Sequence, residues 1–114
     1  MKFLLQVRFN GADQVIGAFT AEEQKKVTGE FEAIRQSPGV LDGNQLQAAS
    51  TAATVRVEDG RPQITTGPAV EAESELNGYY VYEGPDLGAA ITLAARIPVA
   101  RLGGSVEVRP MLER

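Results

Sequence analysis

Arginine, tyrosine and glutamate are the residues of this 114-residue chain whose types and spacing admit chemistry. Arg8 lies in an alternating segment, Lys2 to Phe9, and Arg56 in another, Ala52 to Glu58. Glu107 and Arg109 stand two apart in a third, and Tyr80 sits within Gly78-Tyr-Tyr-Val-Tyr-Glu83. A guanidinium can hold a carboxylate through two parallel hydrogen bonds, and a phenol can add a third. Gathered on one surface, Arg8, Arg56, Tyr80, Glu107 and Arg109 would form a pocket for an anion or small acid. The leading reading of the same residues is cross-strand ion pairs that fix register at an interface. Glu71, Glu73 and Glu75 offer oxygen ligands for a cation, but an acidic run in a loop is usually solvated. Arg96 and Arg101 flank Pro98, where they suit a helix C-terminus or the rim of a pocket.

Composition removes much other chemistry. The chain has no cysteine and no histidine. Disulfides, thiolate metal sites and Ser-His-Asp or Cys-His catalysis are therefore excluded. Any metal would rest on oxygen ligands alone, and neither a metal site nor a cofactor is expected. The net charge of −4 argues against nucleic acid, which needs a basic footprint. The N-terminal apolar run is short and broken by Arg8, unlike a signal peptide. No stretch approaches the roughly 20 apolar residues of a membrane span. One cytoplasmic domain, residues 1–114, is expected.

The elements that must position these residues follow from periodicity. Lys2 to Phe9 alternates as a strand. Asn10 to Ala18 reads as a loop. Thr20 and Glu23 have the spacing of a capping box before a helix to about Gln36, with Val27, Phe31 and Ile34 as its apolar stripe. Gly29 interrupts that helix, which close packing on a sheet would explain. Val40 to Gln47 is a weak strand broken by Gly43. Ala52 to Glu58 is a strong strand that turns at Asp59-Gly60 into a short return, Gln63 to Thr66. Ala69 to Asn77 reads as an exposed loop or one helical turn. Gly78 to Glu83 is a strand, and Asp86 caps a helix from Leu87 to about Ile97. Leu87, Ala90, Ile91, Ala94 and Ile97 form that helix's expected buried face. Gly103-Gly104 then turns into a last strand, Ser105 to Arg109; no phosphate-loop pattern surrounds it.

Two β-α-β halves on one antiparallel sheet describe an α+β, ferredoxin-like β-α-β-β-α-β domain. Both helices cover one side of the sheet and leave the other open. Alternation sends Phe3, Leu5, Val7, Val106 and Val108 towards the helices, with Val55 and Val57. Leu4, Gln6, Arg8, Ser105, Glu107 and Arg109 go to the open face, with Thr54 and Arg56. On the tyrosine strand, Tyr79 and Val81 are assigned to the core, and Tyr80 and Tyr82 to the open face.

Several separate motifs carry a resemblance. They are Leu76-Asn-Gly-Tyr-Tyr80, Pro85-Asp-Leu87, Ala94-Ala-Arg-Ile-Pro98, Ala100-Arg101 and Gly104-Ser-Val-Glu-Val-Arg-Pro110. Upstream stand Ser50-Thr-Ala-Ala-Thr-Val-Arg-Val57, Asp59-Gly60-Arg61 and Gly67-Pro68. In this order they resemble the bacterial YCII-related domain family, and most closely its DGPF-type branch. The Asp-Gly-Pro-Phe tetrapeptide of that branch reads Thr66-Gly67-Pro68-Ala69 here, and the glutamate that follows it corresponds to Glu71. Other members carry a histidine and an aspartate proposed to act together, and this chain lacks the histidine. The resemblance implies a ferredoxin-like domain that pairs into a dimeric α+β barrel. Two open faces would then meet, and their polar groups would have to pair or bind something.

These readings point first to a homodimeric, non-enzymatic module that binds a small acidic ligand or takes a regulatory role. An enzyme acting on a small organic acid or reactive metabolite in the barrel cavity is the alternative. It would work without histidine or metal, with Tyr80 or Glu107 as acid or base. An open face that serves only dimerisation is the third.

Overall fold

Four strands, β1 (Lys2–Arg8), β2 (Val40–Gln45), β5 (Leu76–Glu83) and β6 (Ser105–Pro110), form the main sheet in the order β2-β5-β1-β6. The computed structural model describes residues 1–70 and 75–113. Every neighbouring pair in the sheet is antiparallel. With α2 (Ala21–Arg35) between β1 and β2, and α3 (Leu87–Ala95) between β5 and β6, this is the ferredoxin-like arrangement. A six-residue helix, α1 (Ala12–Gly17), occupies much of the segment expected to be loop. Gly11 precedes it at φ 66°, a backbone position open to glycine.

Local chemistry fixes the helix starts. Thr20 Oγ1 accepts from the Glu23 amide at 3.1 Å, and Glu23 Oε1 accepts from the Thr20 amide at 3.3 Å. These reciprocal bonds close the capping box. The Asp86 carboxylate accepts from the Ala89 amide at 2.9 Å and caps α3. The core lies between the helices and one face of the sheet. Phe3, Leu5, Ile34, Ala90 and Ile97 are all but inaccessible, and Val7, Phe9, Leu93 and Val99 join them.

α3 is rotated from its expected register. Leu93 is buried instead of Leu87 and Ile91, both of which are exposed. Its central turns carry apolar residues on several sides, so periodicity alone leaves the inward stripe ambiguous.

Gly29 does not pack closely on the sheet. It is exposed, and a Cβ there would meet nothing within 4 Å. It therefore only weakens α2. Gly29→Ala is expected to stabilise the chain by about 1 kcal/mol, a rise of roughly 4 °C in Tm. Calorimetry checks this, and an unchanged or lower Tm would mean that the position carries a constraint.

The remaining strands, β3 (Ala53–Glu58) and β4 (Arg61–Thr66), pair only with each other. Asp59 and Gly60 turn between them at φ 51° and 75°, the positive pair of a type I′ turn. Val55 and Val57, expected to face the helices, are 60 % and 67 % exposed, and Ile64 is 73 % exposed. Their alternation is real, but it belongs to a hairpin standing away from the main sheet. The radius of gyration, 16.0 Å, exceeds the roughly 13 Å of a compact chain of this length.

Candidate functional site

The tyrosine strand sits with the opposite parity to that expected. Leu5 pairs with Tyr80, and Gln6 pairs with Tyr79. Side chains opposite one another across a ladder share a face, so the buried Leu5 brings Tyr80 into the core. Tyr80 is 8 % exposed, and Tyr82 packs against the same core, stacked on Phe3 at 6.4 Å. Tyr79 takes the open face instead. Its hydroxyl donates to Asp42 Oδ2 at 3.2 Å and accepts from Asn44 Nδ2 at 3.0 Å.

Of the other candidates, Arg8, Glu107 and Arg109 do share the open face, on adjacent strands β1 and β6. Glu107 lies opposite Gln6, Arg109 opposite Leu4, and Arg8 opposite Ser105. Each strand also carries a pairing along its own length. Arg8 donates to Gln6 Oε1 at 2.8 Å, and Arg109 approaches Glu107 at 3.2 Å. Arg56 is not among them. It lies on the hairpin and donates to the Ala69 carbonyl at 3.3 Å. Glu71 and Glu73 lie outside the described residues. Arg101 grips Glu30 with two bonds of 2.6 Å and ties the turn after α3 to α2. Those hydrogen bonds hold the Glu30 carboxyl below its ordinary range and raise the Arg101 guanidinium.

The cavity lies on the helix side. About 650 Å³ opens between α2, β2 and the start of β5. Val7, Phe9, Val27, Phe31 and Tyr80 supply its apolar lining. Gln14, Gln24, Thr28, Gln47 and Asn77 bring neutral polar groups, and Glu32 and Arg35 bring charge. Several of these groups are fixed by backbone contacts. Asn77 donates to the Phe9 carbonyl at 2.8 Å, and the Glu75 carboxylate accepts from the Ala49 amide. Gly43 lies opposite Tyr80 on β2. Its missing side chain lets the tyrosine ring lie against the strand.

Tyr80 is the most distinctive group in the cavity. Its hydroxyl has no protein hydrogen-bond partner among the described residues. Burial pushes its pKa above 10.0; the Arg35 charge opposes that rise and Glu32 adds to it. At neutral pH the group is a protonated phenol, suited to donating a hydrogen bond and not to acting as a base. Sequence reasoning had no reason to select Arg35, Glu32 or Thr28. The available signal was a polar stripe, Gln24, Thr28 and Arg35, running beside the buried stripe of α2 at helical spacing. Among the described residues, no group of three or more acidic side chains could hold a metal ion.

A ferredoxin-like antiparallel sheet backed by two helices, with a cavity beside one of them, defines a small α+β domain. The family model of the YCII-related domain matches residues 12–113, and the chain belongs to that family. An uncharacterised protein of Rhizobium meliloti strain 1021 is 29 % identical over 104 residues, 87 % of this chain and 84 % of the relative. Among solved structures, the chain is similar to 5-chloro-2-hydroxyhydroquinone dehydrochlorinase from Burkholderia phenoliruptrix AC1100, in complex with 2,5-dihydroxybenzoquinone. The TM-score is 0.53 at 11 % identity, covering 100 % of this chain and 96 % of the other. At that identity the likeness is one of fold. Among the described residues, no helix is long and apolar enough to cross a membrane.

Proposed function

We propose that this chain is a cytoplasmic, homodimeric and non-enzymatic module that binds a small organic acid in the cavity beside α2. One observation carries the reading: a buried phenol, Tyr80, lines a cavity of about 650 Å³ with its hydroxyl unpartnered among the described residues. Among the described residues no buried side-chain nitrogen or oxygen lacks a partner, so this hydroxyl is open to the cavity, where a ligand that brings an acceptor can meet it. Aliphatic and aromatic walls suit the body of such a ligand, and Arg35 suits its carboxylate. The open face carrying Arg8, Glu107 and Arg109 is where a second copy would sit. Leu4 and Val81 lie side by side at its centre.

A thermal-shift screen of small aliphatic and aromatic acids tests the binding, since a ligand of the native state must raise stability. Tyr80→Phe keeps the ring and removes the donor. It is expected to weaken the best hit about tenfold, one neutral hydrogen bond's worth, as read by calorimetric titration. Unchanged affinity would remove the hydroxyl from recognition.

The alternative is an enzyme using the same cavity on a reactive metabolite, and it draws on the fold shared with the dehydrochlorinase. In that reading the raised pKa casts Tyr80 as a proton donor. Turnover abolished in Tyr80→Phe would favour it over the binding module.

A further inference from the structure

The β3–β4 hairpin divides sharply into two faces. Register places Val55 opposite Ile64, Val57 opposite Pro62 and Ala53 opposite Thr66, all on one face. Thr54, Arg56 and Glu58 lie opposite Thr65, Gln63 and Arg61 on the other. The apolar face is bare, with Val55, Val57 and Ile64 each at least 60 % exposed. A two-stranded hairpin is at best marginally stable alone in water. This one is built to be covered.

The same chain holds an apolar surface of matching character. Ile91, Ala94, Ala95, Ala100, Val106 and Val108 line a groove of about 220 Å³ between α3 and the edge strand β6, with no polar side chain among them. Hairpin and groove lie at the same end of the sheet. Gln45 pairs with Gly78, and Arg8 with both Leu76 and Ser105, so the hairpin's roots and the start of β6 share one level. They lie at opposite edges, however, because the hairpin leaves from β2 and β5 and the groove flanks β6. The chain's own β1 and β5 stand between them.

We infer that the hairpin is an arm that clasps the α3–β6 groove of a second copy of this chain. The inference rests on the proposed homodimer and specifies how its copies engage. A two-fold axis along the strands, between two facing sheets, sets the β2 edge of one protomer over the β6 edge of the other at an unchanged level. Each arm then meets the partner's groove, and the contact is isologous. Six residues of strand reach roughly 20 Å, enough to cross the roughly 10 Å between packed sheets and to pass the partner's β6 edge to its helix side. The groove itself is small, so the arm adds to the contact between the facing sheets and does not replace it.

The absence of cysteine makes the test direct. Full-length Val57→Cys and Ile91→Cys chains, carrying different tags, are mixed under mild oxidation. The expected product is the mixed disulfide, in excess over either homodisulfide. In parallel, Val57→Glu, a change at an exposed position, is expected to raise the dimer dissociation constant at least tenfold in sedimentation equilibrium while leaving the circular dichroism unchanged. A dimer that persists in Val57→Glu with no mixed disulfide would overturn the arm and leave the homodimer standing. A predominant disulfide between two Val57→Cys chains would replace arm-in-groove with arm-on-arm packing. A native chain monomeric at tens of micromolar would overturn both arm and homodimer.

Discussion

Gly104→Ala is expected to cost about 3 kcal/mol, the upper end of what overpacking a filled site costs, and to lower Tm by roughly 10 °C. A Cβ at this position would lie 2.3 Å from Val99 Cγ1, 2.5 Å from the Arg8 carbonyl oxygen and 3.0 Å from Phe9 Cβ. Val99 could in principle rotate. The Arg8 carbonyl cannot, because it belongs to the backbone of the central strand β1. Phe9 is 6 % exposed and fixed in the core. Relief must come from moving β6 away at its first residue, Ser105, which pairs with Arg8. The gain from restricting the unfolded chain, about 0.4–1 kcal/mol for such a change, offsets only part of this. Denaturant melts of the two proteins check the figure. A loss below about 1 kcal/mol would mean that the β6 entry yields easily, contrary to its packing against Val99 and Phe9.

Gly103-Gly104 shows what a sequence can and cannot display. As a turn before the last strand it was legible, since paired glycines punctuate chains. That Gly104 is also a steric necessity depends on Val99, Arg8 and Phe9 arriving from elsewhere. The same division runs through the molecule. The Thr20–Glu23 box and the Asp59-Gly60 turn are local arrangements of a few residues, and both form as their spacing implied. The faces of β1 and β6 were legible because Phe3, Leu5, Val7, Val106 and Val108 are apolar on one side and mostly polar residues line the other. Gly78-Tyr-Tyr-Val-Tyr-Glu83 carries no such contrast, because tyrosine is half apolar and suits either side. Its face is set by pairing with Leu5, across 75 residues of chain.

The candidate site suffered most from that ambiguity. Arg8, Glu107 and Arg109 were correctly grouped by strand parity. Arg56 was grouped with them on parity alone, and parity does not reveal which sheet a strand joins. Val55 and Val57 alternate as well in a free-standing hairpin as in a core strand. With Tyr80 on the helix side, the open face carries the phenol of Tyr79 in its place, tied to Asp42 and Asn44, and the cavity beside α2 gains that of Tyr80. The chemistry assigned to Tyr80, hydrogen-bond donation, remains the chemistry that burial favours; its neighbours are now Glu32 and Arg35.

Gly43 ties this site to the fold. In the sequence it looks like a flaw in a weak strand, yet a Cβ there would fall 2.5 Å from Tyr80 Cδ1 and 2.8 Å from Cε1. An aromatic ring is rigid, and Tyr80 is held among Leu5, Ile34 and Phe3 in the core. Gly43→Ala must therefore push the ring towards the cavity or push β2 off β5. Either response is expected to cost about 2 kcal/mol. In the first case the ring also fills space a ligand would use, so ligand affinity should fall by more than Tyr80→Phe alone produces. Pairing Gly43→Ala with Tyr80→Leu isolates the cause, because the smaller side chain removes the obstacle. If the ring is what the new methyl strikes, the double variant should melt less than the sum of the two single losses below the native chain. Strict additivity in that cycle would place the strain in the β2–β5 backbone and leave Tyr80 unmoved.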